Sequence, residues 1–366
     1  VAGRLVCDPE HEEHEQENPM LVARYYAPGD VRLEDMPEPS PGPNDIKLRV
    51  RANSICGTDA KIYKHGHHRL DPPRVIGHEI AGEIVEVGPE AAGGWSVGDR
   101  VQVIAAVPCG DCDYCRRGWQ TVCPTQKAIG YHWDGGLAKY MIVPEEVLKV
   151  DGLNPIAEHV SFAEASVAEP FACALNAQEL AGVGEGDVVA VVGAGPIGCI
   201  HVRLARARGA SRVFLIELSR ERLDLSAERV QPDEAICSAE VDPVETVLAL
   251  TEGRGVDVVI TAAGVGKVQE DALRMAALRG RISLFGGLPK DKPTITFDSN
   301  VVHYRELTVV GANGSNPAQN RRALEYIASG DVPVADLITD RMPLERFVDG
   351  VEAVMGGHAI KVTIEP

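Results

Sequence analysis

The 366-residue sequence contains no run of about 18 uninterrupted apolar residues, the length needed to cross a bilayer; its richest, such as Val188 to Val192, are far shorter. A membrane-spanning segment is therefore not expected. No block of Lys and Arg occurs either, and 36 basic residues against 54 acidic leave a formal charge of −18. Charge of that sign repels a phosphate backbone at long range, which argues against a nucleic-acid partner and toward small molecules. No secretory leader is expected, and the nine cysteines are an odd number. A reducing, cytoplasmic compartment is expected, with thiols serving metal or core rather than disulfides. Residues 1–19 carry His11 and His14 among acids and lack apolar periodicity, so they are expected to form a disordered extension outside the fold.

The rest of the chain, with 45% hydrophobic residues overall, has enough apolar content for two domains with a core each. From Met20 to about Pro170 short β-branched runs alternate with Gly and Pro, as in a domain of small strands: Ile46 to Val50, Ile80 to Val87, Asp99 to Ile104 and Lys139 to Val143. An apolar helical stretch, Phe171 to Leu180, follows. Strands and helices then alternate: strands at Val188 to Val192, Arg212 to Ile216, Val256 to Ile260 and Arg281 to Phe285, with helices at Gly198 to Arg208, Arg220 to Glu228 and Val268 to Leu278. That alternation predicts a doubly wound parallel sheet, an α/β domain. The last fifty or so residues hold two helix-like segments and a final strand, Ile360 to Ile364, expected to return to the first domain.

Gly193-Ala194-Gly195-Pro196-Ile197-Gly198 follows a buried strand and opens a helix, the context that makes G-x-G-x-x-G informative. Such glycines permit a tight turn and let backbone N–H groups at a helix start approach a pyrophosphate. Glu217, at the end of the second strand, is placed to accept from ribose hydroxyls and to repel a 2′-phosphate, favouring NAD over NADP. Ser219, Arg220 and Arg222 follow; one arginine, Arg222, is taken to flank the adenine, although the pair would also suit a phosphate.

Two sets of metal-ligating residues stand out. Cys109, Cys112, Cys115 and Cys123 crowd one loop, the donor set of a closed structural zinc. Cys56-Gly57-Thr58-Asp59 and Gly77-His78-Glu79, with Glu169, supply a thiol, an imidazole and carboxylates from three separate loops, as a zinc with an open position requires.

These motifs in this order, with Gly77-His78-Glu79-x-x-Gly82 continuing to Gly88 and the Gly98-Asp99-Arg100-Val101 turn, resemble the zinc-dependent medium-chain dehydrogenases, the alcohol, polyol and threonine dehydrogenase family. The resemblance runs from about Met20 to the C-terminus. It implies a GroES-like β-barrel catalytic domain, residues 20–170 and 316–366, interrupted by a Rossmann NAD-binding domain, residues 171–315. It implies two zinc ions per chain, with Cys56 and His78 as catalytic ligands and either Glu79 or Glu169 as the third. It also implies oxidation of a polyol or secondary alcohol to the ketone by NAD, with a threonine dehydrogenase-like or sugar-phosphate dehydrogenase activity as the alternative, and a homotetramer or homodimer joined through an exposed edge near Arg281 to Phe285. A zinc-ribbon protein that binds nucleic acid is the non-enzymatic reading that the acidic balance and second metal set oppose.

For an alcohol oxidation of this kind the metal dominates. Zinc lowers a bound water from pKa 15.7 to about 7, worth roughly 12 kcal/mol at about 1.36 per unit, against about 3 to 5 kcal/mol for side-chain acid–base help. Thr58 is expected to take the hydroxyl proton. Many relatives place a histidine five residues after the cysteine to pass the proton outward; this chain has Lys61. Sorbitol-type relatives carry a tyrosine at the next position, here Ile62, so the polyol is left unnamed. The stretch Lys64-His65-Gly66-His67-His68-Arg69 suits a polyhydroxylated or anionic substrate.

Overall fold

The computed structural model describes residues 19–366, so the expected N-terminal extension lies outside the described residues apart from Pro19, which opens the first strand, Pro19–Ala27. Among the described residues no helix is long and apolar enough to cross a membrane.

The first part of the chain folds as antiparallel strands whose alternate side chains meet in a core. Ile46–Ser54 pairs with Glu79–Val87 from Ile46 opposite Val87 to Ser54 opposite Glu79. Arg100–Val103 and then Leu153–Pro155 extend the sheet on one side. Ile46, Leu48, Ile80, Ile84, Val101 and Val103 fill its interior. On the other side Lys361–Glu365 lies antiparallel to Ile46–Ser54, with Thr363 opposite Ser54 and Ile364 opposite Asn53. The final strand thus returns to the first domain as expected. Ile338–Pro343, not foreseen, pairs parallel to it at the sheet edge.

The second sheet has six parallel strands in the spatial order Glu234–Cys237, Arg212–Glu217, Val188–Val192, Val256–Thr261, Ala276–Leu284, Thr308–Gly311. In chain order this is 3-2-1-4-5-6, the doubly wound arrangement whose ligand crevice opens at the carboxyl ends of the first and fourth strands. Val188–Val192 is buried along its whole length because helices cover both faces of the sheet. Two expectations need correction. Arg281 to Phe285 is not at the edge: its strand has neighbours on both sides, and Thr308–Gly311, only four residues long, forms the exposed edge. The proposed boundary at 170/171 falls inside one helix, Ala168–Leu180, most of which is buried, the polar Glu169, Asn176 and Gln178 included, and whose Ala, Phe and Leu side chains join the core. The second boundary, at 315/316, coincides with the Asn316 cap of helix Pro317–Ser329.

Candidate active site

Strand pairing assembles the first cluster. Because Ser54 stands opposite Glu79, the residues just beyond one strand and just before the other, Cys56 and His78, become neighbours. Gly77 has φ +95°, and a Cβ there would lie 2.7 Å from Asn53 Oδ1 and 2.9 Å from the Leu137 side chain. Only glycine fits the turn that presents His78. Cys56 caps helix Gly57–His65, and its N–H donates to Asp59 Oδ2 at 2.9 Å. One donor atom each from Cys56, His78 and Glu79 lies within 4.8 Å of the others. Glu169, at the start of the joining helix, is buried but stands outside that set, and the Cys173 thiol donates to it at 3.7 Å. Thr58 is half-buried on the first turn of the Cys56-capped helix.

Burial and charge act strongly here. Burial alone would lower the pKa of the His78 imidazole, but Asp59, with Oδ1 3.3 Å from His78 Nδ1, and the Cys56 thiol hold it well above its ordinary value. Asp59 Oδ1 stands at ion-pair distance from Nδ1, although no hydrogen bond joins the two atoms, and a carboxylate on that side of the ring is what orients a ligating imidazole. Burial raises Glu79 to about 7 against the pull of the Lys361 ammonium and with a further push from Glu169. Burial likewise raises Glu169. Glu79 Oε1 is buried with no hydrogen-bond partner, an orphaned acceptor that a cation would satisfy, and the thiol, imidazole and carboxylate set suits zinc. Three residues without an assigned role at sequence level matter: Asp59, Lys361 and Tyr131. Asp59 sits in a quoted motif. Lys361 opens the final strand and is buried there together with Val362, Thr363 and Ile364, a placement that requires an inward partner. Tyr131 lies with its ring 6.2 Å from that of His78, and burial raises its phenol to about 12, so it faces the cluster as a neutral group.

The four-cysteine loop gathers as its spacing predicts. Sγ atoms of Cys109 and Cys115, and of Cys112 and Cys123, are 3.9 Å apart, and all four lie within 4.8 Å of one another. That is far beyond a disulfide and close to the edge of roughly 3.8 Å that four sulfurs at about 2.3 Å from one zinc would have. Backbone N–H groups of Cys112 and Cys109 point at Cys109 and Cys123 sulfurs, both at 3.4 Å, as suits thiolates.

The glycine loop forms a cradle. Gly193 has φ +113°, and a Cβ on Gly198 would sit 1.8 Å from the Gly193 carbonyl oxygen, so helix Pro196–Ala207 packs this close to the strand only through glycine. A Cβ on Gly195 would meet nothing within 4 Å, leaving room beside the helix N-terminus, and Ile197 is half-buried in the first helical turn. A cavity of about 630 Å³ adjoins it, lined by Gly193, Glu217, Glu240, Asp242 and Asp271 among others. Glu217 accepts from the N–H groups of Ala194 at 2.8 Å, Leu218 at 2.8 Å and Ser219 at 3.1 Å. Arg220 is bound to Glu240, and the Arg222 guanidinium donates to the Val354 carbonyl at 3.3 Å rather than lining the cavity.

Comparison with known proteins agrees with this geometry. Residues 42–151 match the alcohol dehydrogenase GroES-like domain, and residues 196–329 match the zinc-binding dehydrogenase family. A sorbitol dehydrogenase from Halalkalibacterium halodurans is 33% identical over 351 residues, 94% of this chain and 98% of the relative. An L-threonine 3-dehydrogenase from Pyrococcus horikoshii is 35% identical over 337 residues, 91% of this chain and 94% of the relative. A zinc-binding dehydrogenase from Sinorhizobium meliloti 1021, solved bound to NADP, is similar with a TM-score of 0.88 and 31% identity, covering 95% of this chain and 100% of that one. With both halves matched and near-complete relatives above 30% identity, the chain belongs to the zinc-dependent medium-chain dehydrogenase family, a GroES-like domain joined to a Rossmann-type sheet.

Proposed function

We propose that the protein is an NAD-dependent alcohol or polyol dehydrogenase that oxidises a secondary carbinol to the ketone. Cys56, His78 and Glu79 are the catalytic zinc ligands in this reading, with Glu169 facing them as a second carboxylate. Cys109, Cys112, Cys115 and Cys123 hold a structural zinc. The observation that carries it is the convergence of a thiol, an imidazole and a buried carboxylate with an unpartnered oxygen. When bound there, zinc supplies the Lewis acidity that makes an alcohol hydroxyl acidic. Thr58 accepts the hydroxyl proton while giving up its own hydroxyl proton to solvent, Asp59 holds the imidazole in its orientation, and Tyr131 walls the cluster.

Gly193, Gly195, Pro196, Ile197 and Gly198 bind the dinucleotide pyrophosphate at the helix N-terminus, and Glu217 the ribose. NAD is favoured over the NADP seen in the Sinorhizobium relative because Glu217 lines the cavity with no cation paired to it among the described residues, whereas Glu240 is paired with Arg220 and Asp271 with the cavity-lining Lys267. Neither arginine is free for a 2′-phosphate: Arg220 is engaged by Glu240, and Arg222 is tied to the Val354 carbonyl away from the cavity lining. A dimer or tetramer in the cytoplasm completes the proposal, with Thr308–Gly311 as the exposed edge available for pairing.

Metal analysis should return two zinc ions per chain, and an NAD-reduction screen across polyols, amino alcohols and sugar phosphates should find turnover. An L-threonine-specific enzyme would show in the amino-alcohol arm. Thr58→Val should slow oxidation at neutral pH by about 10² with zinc content intact; unchanged turnover removes Thr58 from proton transfer. Metal near zero, or no NAD reduction by any alcohol, defeats the proposal.

A further inference from the structure

The chain carries eighteen more acidic than basic charges, yet from Lys61 to Arg69 it has two lysines, three histidines and an arginine with no Asp or Glu. The fold brings the end of that stretch to the cluster just described. The His67 ring lies edge-on to Tyr131 at 5.0 Å, and Tyr131 lies 6.2 Å from His78. His68 stacks on His67 at 4.6 Å. From the Rossmann-type domain, Lys290 crosses the cleft to place Nζ 3.4 Å from His68 Nδ1. Arg69 lines an adjoining open cavity of about 550 Å³ with Lys127, His132 and Asn313, and no Asp or Glu lines it.

Asp71 stands two residues beyond Arg69 and its charge reaches His132, yet among the described residues no carboxylate forms an ion pair with Arg69 or Lys290. Lys127 has Glu146 at 3.1 Å. Among the described residues, the polar contacts of Arg69 and Lys290 are instead the Gln126 carbonyl and the neighbouring His68. Burial first, and then the positive charges of His68, Arg69 and Lys290, push the His67 imidazole below its ordinary range. Neutral hydroxyls do little to relieve such repulsion. An anion relieves it, and in an acidic protein a local positive cleft focuses the field that draws one in. Arg69 offers a planar fork suited to a carboxylate or phosphate, and Lys290 a point charge.

We propose that His67, His68, Arg69 and Lys290 form an oxyanion-reading rim, so that the physiological alcohol carries a carboxylate or phosphate group a few carbons from the carbinol presented to Cys56, His78 and Glu79. This rests on the dehydrogenase reading above and names its substrate class. Tyr131 is the wall along which the intervening carbons lie.

The test compares D-sorbitol, D-gluconate and sorbitol 6-phosphate as substrates of the zinc-loaded protein, and as ligands by calorimetry in the presence of NADH. Expected is a kcat/KM at least tenfold higher for gluconate or sorbitol 6-phosphate than for sorbitol, falling as salt rises, with matching tighter binding. The arm that wins identifies the oxyanion. Arg69→Gln with Lys290→Gln should reduce the charged-to-neutral ratio, in turnover and in binding, by about tenfold or more. Equal or better use of sorbitol, or a ratio unmoved by the double variant, overturns the proposal. If no alcohol is oxidised, the dehydrogenase reading fails, and calorimetry alone still decides whether the rim prefers the anion.

Discussion

Lys361, on the last strand of the chain, sets its ammonium against the Glu79 carboxylate where both side chains are sealed from water. Its Nζ also donates to the Ile55 carbonyl at 3.0 Å, so one lysine ties the returning strand to the loop before Cys56 and to the carboxylate after His78. Burying a carboxylate beside Glu169 would be costly without this cation. Replacing Lys361 by Met therefore leaves Glu79 buried and unpaired. The expected loss is about 3 to 5 kcal/mol of stability, read by chemical denaturation, together with reduced zinc at the catalytic site. The double variant with Glu79→Gln should recover part of that stability but none of the metal.

Glu79 and His78 give metal loading a definite pH dependence. In metal-free protein both hold protons more tightly than their ordinary values: Glu79 because burial raises it to about 7, His78 because Asp59 and Cys56 outweigh burial. A folded pKa above the unfolded one stabilises the fold below the unfolded value, and the contribution is lost as pH rises through the folded value. For Glu79 that window runs from about 4.5 to about 7. Metal competes for the deprotonated groups, so its affinity moves the other way, rising about tenfold per pH unit for each proton displaced. Thermal melts of loaded and metal-free protein between about pH 5.5 and 8 should diverge as pH rises. A constant gap would refute this.

The cysteine loop should behave independently of the catalytic cluster. Cys115 is buried and its sulfur lies 3.9 Å from that of Cys109. Cys115→Ser is expected to lower zinc from two ions to one per chain and the melting temperature by several degrees, with dinucleotide binding retained. Loss of both metals from this one change would show that the sites are coupled.

The parts legible in sequence were those whose partners lie close along the chain. The glycine loop, the cysteine loop and the Cys56 and His78 turns each declare themselves within a dozen or so residues, because local backbone geometry dictates their composition. Lys361 was not legible as a partner of Glu79, since the contact exists only after the chain has built an entire second sheet and returned. Thr308–Gly311 is short and mostly exposed, so it lacks the buried run by which its parallel neighbours were recognised. Ile338–Pro343 fails for the same reason: its Thr339, Asp340 and Arg341 break any apolar alternation. Sequence does not rank Glu79 against Glu169, because both are carboxylates beside motif residues; in the fold it is Glu79 whose oxygen groups with the Cys56 and His78 donor atoms.

On the proposed reading, Glu217 governs which dinucleotide the cavity accepts. Three backbone N–H groups, those of Ala194, Leu218 and Ser219, point at its carboxylate and hold the charge in place at the end of the second strand. A carboxylate offers about four acceptor positions, so one stays available for a ribose hydroxyl while the negative charge repels a 2′-phosphate. Glu217→Ala removes both effects. NAD should lose a charged hydrogen bond worth about 1.5 to 3 kcal/mol, a tenfold to hundredfold fall in kcat/KM, while NADP gains. Adding Glu240→Gln frees Arg220, now bound through Nε to Glu240 at 2.9 Å, to reach the phosphate. The double variant should therefore favour NADP more than the single one, by both cofactor kinetics and fluorescence titration of the reduced dinucleotides. If the single variant leaves the NAD-to-NADP ratio where it began, the carboxylate does not face the ribose and the cavity binds the dinucleotide in another way.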